Sequence, residues 1–204
     1  MALFLHDSKN ALSVQRLIVE LAGMVQIMDE KDQQLADASD AQNQSWLENW
    51  TTAFWETVCR EWASIDQWRM NKVLLLVRFF VREQFGLALG HAVKGGPRAK
   101  DQVIRQLEIL ETWPLSSRER KVPDGLRLHV LDVWVDELAG QLSEAQKNID
   151  DTDATSAESK KNLLFNTANQ FMDPVQKVSR EALSKGVKIR AKEAIKLSEE
   201  KLSG

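Results

Sequence analysis

The chain is expected to be all-α, on three observations. Apolar residues recur at three- and four-residue spacing through most of its 204 residues. Period-two alternation is absent, and so is tyrosine, a common strand residue. The helical stretches are separated by modest turn-forming segments, which suits antiparallel helices. Such pairs are compatible with a HEAT-like α-solenoid, in which each pair buries its face on the next.

Ala11 to Met28 reads as the first helix, with Leu12, Leu17, Ile18, Leu21, Ala22, Val25 and Met28 on its buried side. Asp29 to Asp40 is acidic and apolar-poor, so it reads as a loop or a frayed end. Gln44 to Trp62 is the second helix, carrying Trp50, Phe54, Val58 and Trp62 along a slowly drifting face. A break follows near Ala63, where Ser64 and Gln67 match a capping box and Asp66 adds negative charge. The third helix, Asp66 to about Leu89, is apolar nearly all round from Val73 to Val81 and is expected to be central.

Gly90, Gly95, Gly96 and Pro97 then mark a loop. Asp101 to Thr112 is the fourth helix, stopped by Trp113-Pro114. A basic loop, Ser116 to Val122, leads to a fifth helix that opens at Pro123-Asp124-Gly125 and runs to about Leu142. These elements define a helical scaffold domain over residues 1–142. Its opening residues read as the tail of a helix whose beginning is missing.

Residues 143–160 read as an acidic linker, because Asn148 to Ser159 is small, acidic and almost free of apolar residues. Residues 161–204 read as a basic arm. From Pro174 to Gly204 eight Lys or Arg stand against four Glu, a local excess of four positive charges. The apolar residues there look too sparse for a core, so the arm is expected to order on a partner.

Composition narrows the function classes. The formal charge of −3 predicts no broad phosphate grip, so any nucleic-acid contact must come from local clusters such as Arg118, Arg120, Lys121, Lys188, Arg190 and Lys192. Cys59 is the single cysteine, which excludes a disulfide framework and suits a reducing compartment. No apolar run approaches the roughly 20 residues of a membrane span.

Candidate chemistry is sparse. His6, His91 and His129 lie far apart in sequence, so no helical metal pair exists. Cys59 reads as a buried structural thiol. Glycine-rich phosphate loops and a GxSxG elbow are missing. Glu61 and Asp66 sit among Arg60, Arg69 and Lys72, which favours ion pairing over acid–base work. No cofactor is implied. Arg69, Lys72, Arg78 and Arg82 interrupt a mostly apolar helix. They are either paired internally with Glu61 and Asp66 or address a partner, and tryptophans near exposed arginines are common interface anchors.

Two blocks carry a resemblance. FWETVCREWASIDQWRMNKVLLLVR at 54–78 and VPDGLRLHVLDVWVDEL at 122–138 resemble the ribosomal RNA processing protein 1 family. The matching positions are Phe54, Trp55, Glu56, Arg60, Glu61, Trp62, Ile65, Asp66, Arg69, Lys72, Leu76, Val77 and Arg78. In the second block they are Pro123, Gly125, Leu126, His129, Asp132, Asp136, Glu137 and Leu138. Ala2 to Leu21 also resembles the family's opening helices, and the likeness covers about two-thirds of the chain.

The resemblance implies a non-enzymatic nuclear and nucleolar factor, a scaffold in early pre-60S particles needed for large-subunit precursor RNA processing. Its expected partners are other nucleolar assembly factors, with pre-rRNA touched through local basic patches. Trp55, Arg60, Glu61, Asp66, Arg69, Lys72, Arg78 and Arg82 are the candidate partner-binding set. Arg118, Arg120, Lys121, Lys188, Arg190 and Lys192 are the candidate RNA contacts. The rival reading is a helical-repeat adaptor without an RNA role.

Overall fold

A computed structural model describes residues 11–38, 45–149 and 154–202. Among these residues every regular element is helical: α1 (Ala11–Ala38), α2 (Trp46–Glu61), a 3-10 turn (Trp62–Ser64), α3 (Gln67–Lys94), α4 (Pro97–Thr112), α5 (Asp124–Lys147), α6 (Ala154–Gln170), α7 (Asp173–Glu181) and α8 (Lys185–Lys201). They pack in two rows. In one row α3 lies between α1 and α5, and α8 packs on the far side of α5. Behind them α2 meets α4, and α4 meets α7, while α6 packs on both α3 and α5.

Capping explains where the helices begin. Asp32 of α1 is buried and accepts from Ser45 Oγ at 2.5 Å and from the backbone N–H groups of Trp46 and Leu47 at 2.7 and 3.1 Å. Ser45 in turn accepts from Glu48 N, so two side chains satisfy the open end of α2. That role of Asp32 requires α1 to continue well past Met28, so the segment expected as a loop or frayed end is helical to Ala38. The turn before α4 places Gly95 at φ 70° and Gly96 at φ 89°, a backbone region open to glycine, and Pro97 then starts the helix. α4 therefore begins earlier than its apolar pattern suggested.

The core is built on aromatic side chains from distant helices. Phe54 of α2 stacks on Phe80 of α3, and Trp55 meets both rings edge-on. Trp55 Nε1 donates to Gln84 Oε1 at 3.2 Å, which satisfies the indole inside the core. A second cluster joins Phe85 of α3, Trp134 of α5 and Phe171 at the end of α6 through edge-to-face contacts. Trp134 Nε1 donates to the Phe171 carbonyl at 3.0 Å.

That second cluster corrects the expected tail. α5 runs to Lys147, and helix resumes at Ala154, so 143–147 and 154–160 of the expected linker are helical; residues 150–153 lie outside the described ones. The supposed basic arm is part of the core: Leu164, Phe171, Val175, Val178, Val187 and Ala191 are all fully buried. A domain boundary near 142 has no counterpart in this packing. The apolar pattern looked sparse because small alanines carry much of it: Ala182, Ala191 and Ala194 are buried, and small side chains let helices approach closely.

Several charges of this segment pair with neighbouring helices at the surface. Arg190 pairs with Asp132 at 2.8 Å, Lys201 with Asp136 at 2.5 Å, and Lys177 with Glu111. The acidic flank of α5, Asp132 and Asp136, is lined by α8.

Phe171→Ala tests whether this segment belongs to the cooperative unit. Truncating a fully buried aromatic of this kind costs about 3–5 kcal/mol. Urea unfolding followed by tryptophan fluorescence is expected to show one transition at a lower midpoint. An unchanged midpoint would mean that 154–202 folds separately from the rest.

Candidate functional site

The start of α3 presents an exposed edge. Asp66 is the N-cap: its carboxylate accepts from the N–H groups of Trp68 and Arg69 at 3.0 and 2.9 Å, and from Arg69 Nε at 2.6 Å. Ser64 donates to the Glu61 carbonyl instead of capping α3, so the expected capping box does not form. The hydrogen bond from the Arg69 N–H leads the effects that hold the Asp66 carboxyl below its ordinary range. Arg60 and Glu61 pair at 3.0 Å on the adjoining surface. Trp68 projects from this capped turn with 83% of its surface exposed.

Trp62 ties this edge to α5. Its indole packs over Gly125, where an added Cβ would lie 3.1 Å from Nε1. Glycine at 125 thus allows a close approach of the indole, and this contact joins the two sequence blocks at one end of α3 and α5.

The other end of that joint is ionic. Glu137 of α5 is 4% exposed and accepts from Arg78 Nε at 2.5 Å and Arg82 Nε at 2.6 Å. Burial pushes the Glu137 carboxyl up, but the hydrogen bonds from Arg82 and Arg78 outweigh it and leave the group below the usual carboxylate range. Arg82 also lies over the Phe79 ring. Between the two ends, His129 Nε2 donates to the Leu74 carbonyl at 2.8 Å, and burial lowers its affinity for a second proton.

The candidate partner set therefore divides. Arg60, Glu61, Asp66 and Arg69 gather at the exposed edge, with Lys72 half-buried one turn further on. Arg78 and Arg82 pair with Glu137, neither with Glu61 nor with Asp66. Trp55 is fully buried, so it is a core residue and offers no surface to a partner. Neither the Asp32 cap nor the partner of Arg78 and Arg82 was foreseen, because both depend on residues far apart in the chain.

The candidate RNA set divides too. Arg118, Arg120 and Lys121 are exposed on the loop before α5. That loop is held by Arg127, 6% exposed, which donates to the carbonyls of Ser116, Glu119 and Val122 and to Asp124. Arg118 approaches Glu181 at 3.8 Å. Lys188 and Lys192 lie on the outer side of α8, whereas Arg190 is shared between Asp132 and Glu193.

Among the described residues no three His, Cys, Asp or Glu side chains converge as a metal-binding set. His91 is buried against Asp29 at 3.0 Å, joining α3 to α1. His6 lies outside the described residues. Cys59 is buried, and burial pushes its thiol up to about 11 despite the nearby Arg127. No helix among the described residues is long and apolar enough to cross a membrane.

Two measurements check these assignments. Glu137→Gln keeps one acceptor oxygen and turns the other into an NH2 donor facing an arginine, at a cost of about 1–3 kcal/mol. The folded-state carboxyl titrates below its unfolded value of about 4.3, so the pair stabilises the fold fully above that pH. The gap in urea midpoint between wild type and Glu137→Gln is expected to be full at pH 7 and to shrink as pH falls through the folded value. A gap that does not change with pH would refute the ionic account. Cys59 is expected to resist iodoacetamide at pH 8 in the native chain and to react once the chain is unfolded in urea, as read by mass spectrometry.

The family model described as the nucleolar protein Nop52 matches residues 3–203. Mouse ribosomal RNA processing protein 1 homolog A is 34% identical over 87 residues, which is 43% of this chain and 16% of that protein. The Drosophila melanogaster ribosomal RNA processing protein 1 homolog is 33% identical over 102 residues, 48% of this chain and 14% of its own length. Human homolog A is 30% identical over 120 residues, 56% of this chain and 25% of that protein. The chain thus spans a quarter or less of each of these relatives. With nearly its whole length matched by the family model, the chain belongs to the Nop52 family of nucleolar proteins.

Proposed function

We propose that this chain is a non-enzymatic scaffold that works in the nucleolus, in early pre-60S particles, and is needed for large-subunit precursor RNA processing. The family membership and the names of its relatives support a role in ribosome biogenesis. The observation that carries the scaffold reading is Trp68, a large aromatic left 83% exposed on a turn whose neighbours are already capped and ion-paired. A rigid aromatic beside charged pairs is what a protein interface uses as an anchor. Another assembly factor is its occupant, with Arg60, Glu61, Asp66, Arg69 and Lys72 as the polar rim. Pre-rRNA is reached through the basic loop and the outer side of α8. The two rows of helices suit a helical-repeat platform for such contacts.

Trp68→Ala separates docking from folding. A substitution at so exposed a site is expected to change stability by no more than about 0.5 kcal/mol. Loss of an interface anchor costs about 2 kcal/mol or more, roughly a thirtyfold weaker association. Affinity purification through the chain, with and without nuclease, is expected to recover precursor large-subunit RNA and assembly factors with wild type and much less of both with the variant. Equal recovery would refute the anchor. Retained protein partners with no precursor RNA would favour an adaptor outside ribosome assembly.

A further inference from the structure

The two basic segments, separated by more than sixty residues in sequence, meet in space. The loop residues Ser117 to Asp124 and the corner Ala182 to Ser184, between α7 and α8, line one cleft of about 420 Å³. Arg118 and Arg120 stand on its loop side, and Arg127 braces that loop from below through three carbonyls. On the other side α8 begins. Its buried face is Val187, Ala191 and Ala194, so Lys185, Lys188, Lys192 and Lys196, at spacings of three and four, share the outer face. From Lys185 to Lys196 that face extends about 16 Å along the helix.

The charges on this tract are available. Arg120, Lys185, Lys188, Lys192 and Lys196 form no ion pair among the described residues, and Arg118 has only the 3.8 Å approach to Glu181. Of the acids nearby, Asp124 accepts from Arg127 and Glu193 from Arg190, while Glu119, also at the cleft, accepts from the backbone N–H of Lys121. A chain of net charge −3 thus concentrates six unshared or weakly shared cations on one strip. Clustered cations of this kind are the footprint of a phosphate backbone.

We propose that the cleft and the outer face of α8 form one continuous RNA-phosphate tract, a single site assembled from both segments. This rests on the RNA-contacting part of the functional reading and goes further by assigning one site and its ligand chemistry. Arginine forks at the cleft hold phosphate in fixed geometry, and the lysines extend the grip along the strand without reading bases.

The test is binding of the full chain to a labelled single-stranded RNA of roughly 20 nucleotides across a salt series. Each phosphate contact contributes a slope of about −0.7 in log affinity against log salt for single strands. The loop variant Arg118→Gln/Arg120→Gln and the helix variant Lys185→Gln/Lys192→Gln are each expected to flatten the slope by about 1.4, and the four changes together by about 2.8. Circular dichroism melting is expected to be unchanged in all three, since these side chains are exposed. A slope that either pair leaves untouched would overturn the single tract. Polyglutamate competing as well as unlabelled RNA would overturn the RNA assignment in favour of an acidic protein surface. Co-sedimentation with pre-ribosomes is read separately. Wild-type chain that binds RNA through the tract but enters no particle would sink the scaffold reading and leave the tract standing.

Discussion

Glu137 fixes how α5 lies against α3. Its carboxylate is 4% exposed and holds Arg78 and Arg82, one turn apart on the opposite helix. Sliding α5 by one turn, or rotating it by a third of one, would leave a buried carboxylate without donors, and that is among the most costly defects a core can carry. The other features of α5 follow from this register. Trp134, one turn earlier, is directed onto Phe85 and Phe171. Asp132 and Asp136 are turned toward α8, where Arg190 and Lys201 meet them. At the start of the helix, Gly125 comes under Trp62.

One helix thereby places both candidate surfaces. Its N-terminal end supports the indole of Trp62, which follows directly on α2 and leads into the turn where Trp68 is displayed. Its acidic flank takes Arg190 and Lys201 from α8, and the lysines between them in sequence are left on the opposite side, facing outward. The basic strip on α8 exists because the other charges of that helix are neutralised against α5. The exposed edge at Trp68 and the basic strip on α8 are separate surfaces with a common dependence on α3–α5 packing.

Much of the fold was legible because helix periodicity is local. Phe54, Val58 and Leu76 announce buried faces, and Asp66 with Ser64 announces a break, even though the capping atom proved to be Asp66 itself. The C-terminal segment was misjudged for a physical reason. Its core side chains are largely alanine and valine, and a run of lysines and arginines dominates its composition. Composition does not distinguish a cation facing water from one facing Asp132. The same limit applied to the candidate site. Trp55 and Trp68 belong to one tryptophan-rich stretch, yet one is fully buried and the other 83% exposed. Their separation depends on where the 3-10 turn at Trp62–Ser64 redirects the chain.

The joint between α3 and α5 also bears on why charge is used there at all. Apolar side chains of similar volume at 78, 82 and 137 would stabilise the pair about as well, since a buried ion pair returns little beyond its desolvation cost. They would accept several registers, because the apolar core shared by α3 and α5, which includes Leu76, Val77, Val81, Val130, Leu131 and Leu138, has no directional bonds. Two Nε–H donors aimed at two oxygens of one carboxylate accept only one register. That selectivity, more than extra stability, is what the ionic joint contributes. A shift of one residue in α5 would move Gly125 away from Trp62 and carry the loop of Arg118 and Arg120 off the α8 corner, so the molecule would fold with both candidate surfaces displaced.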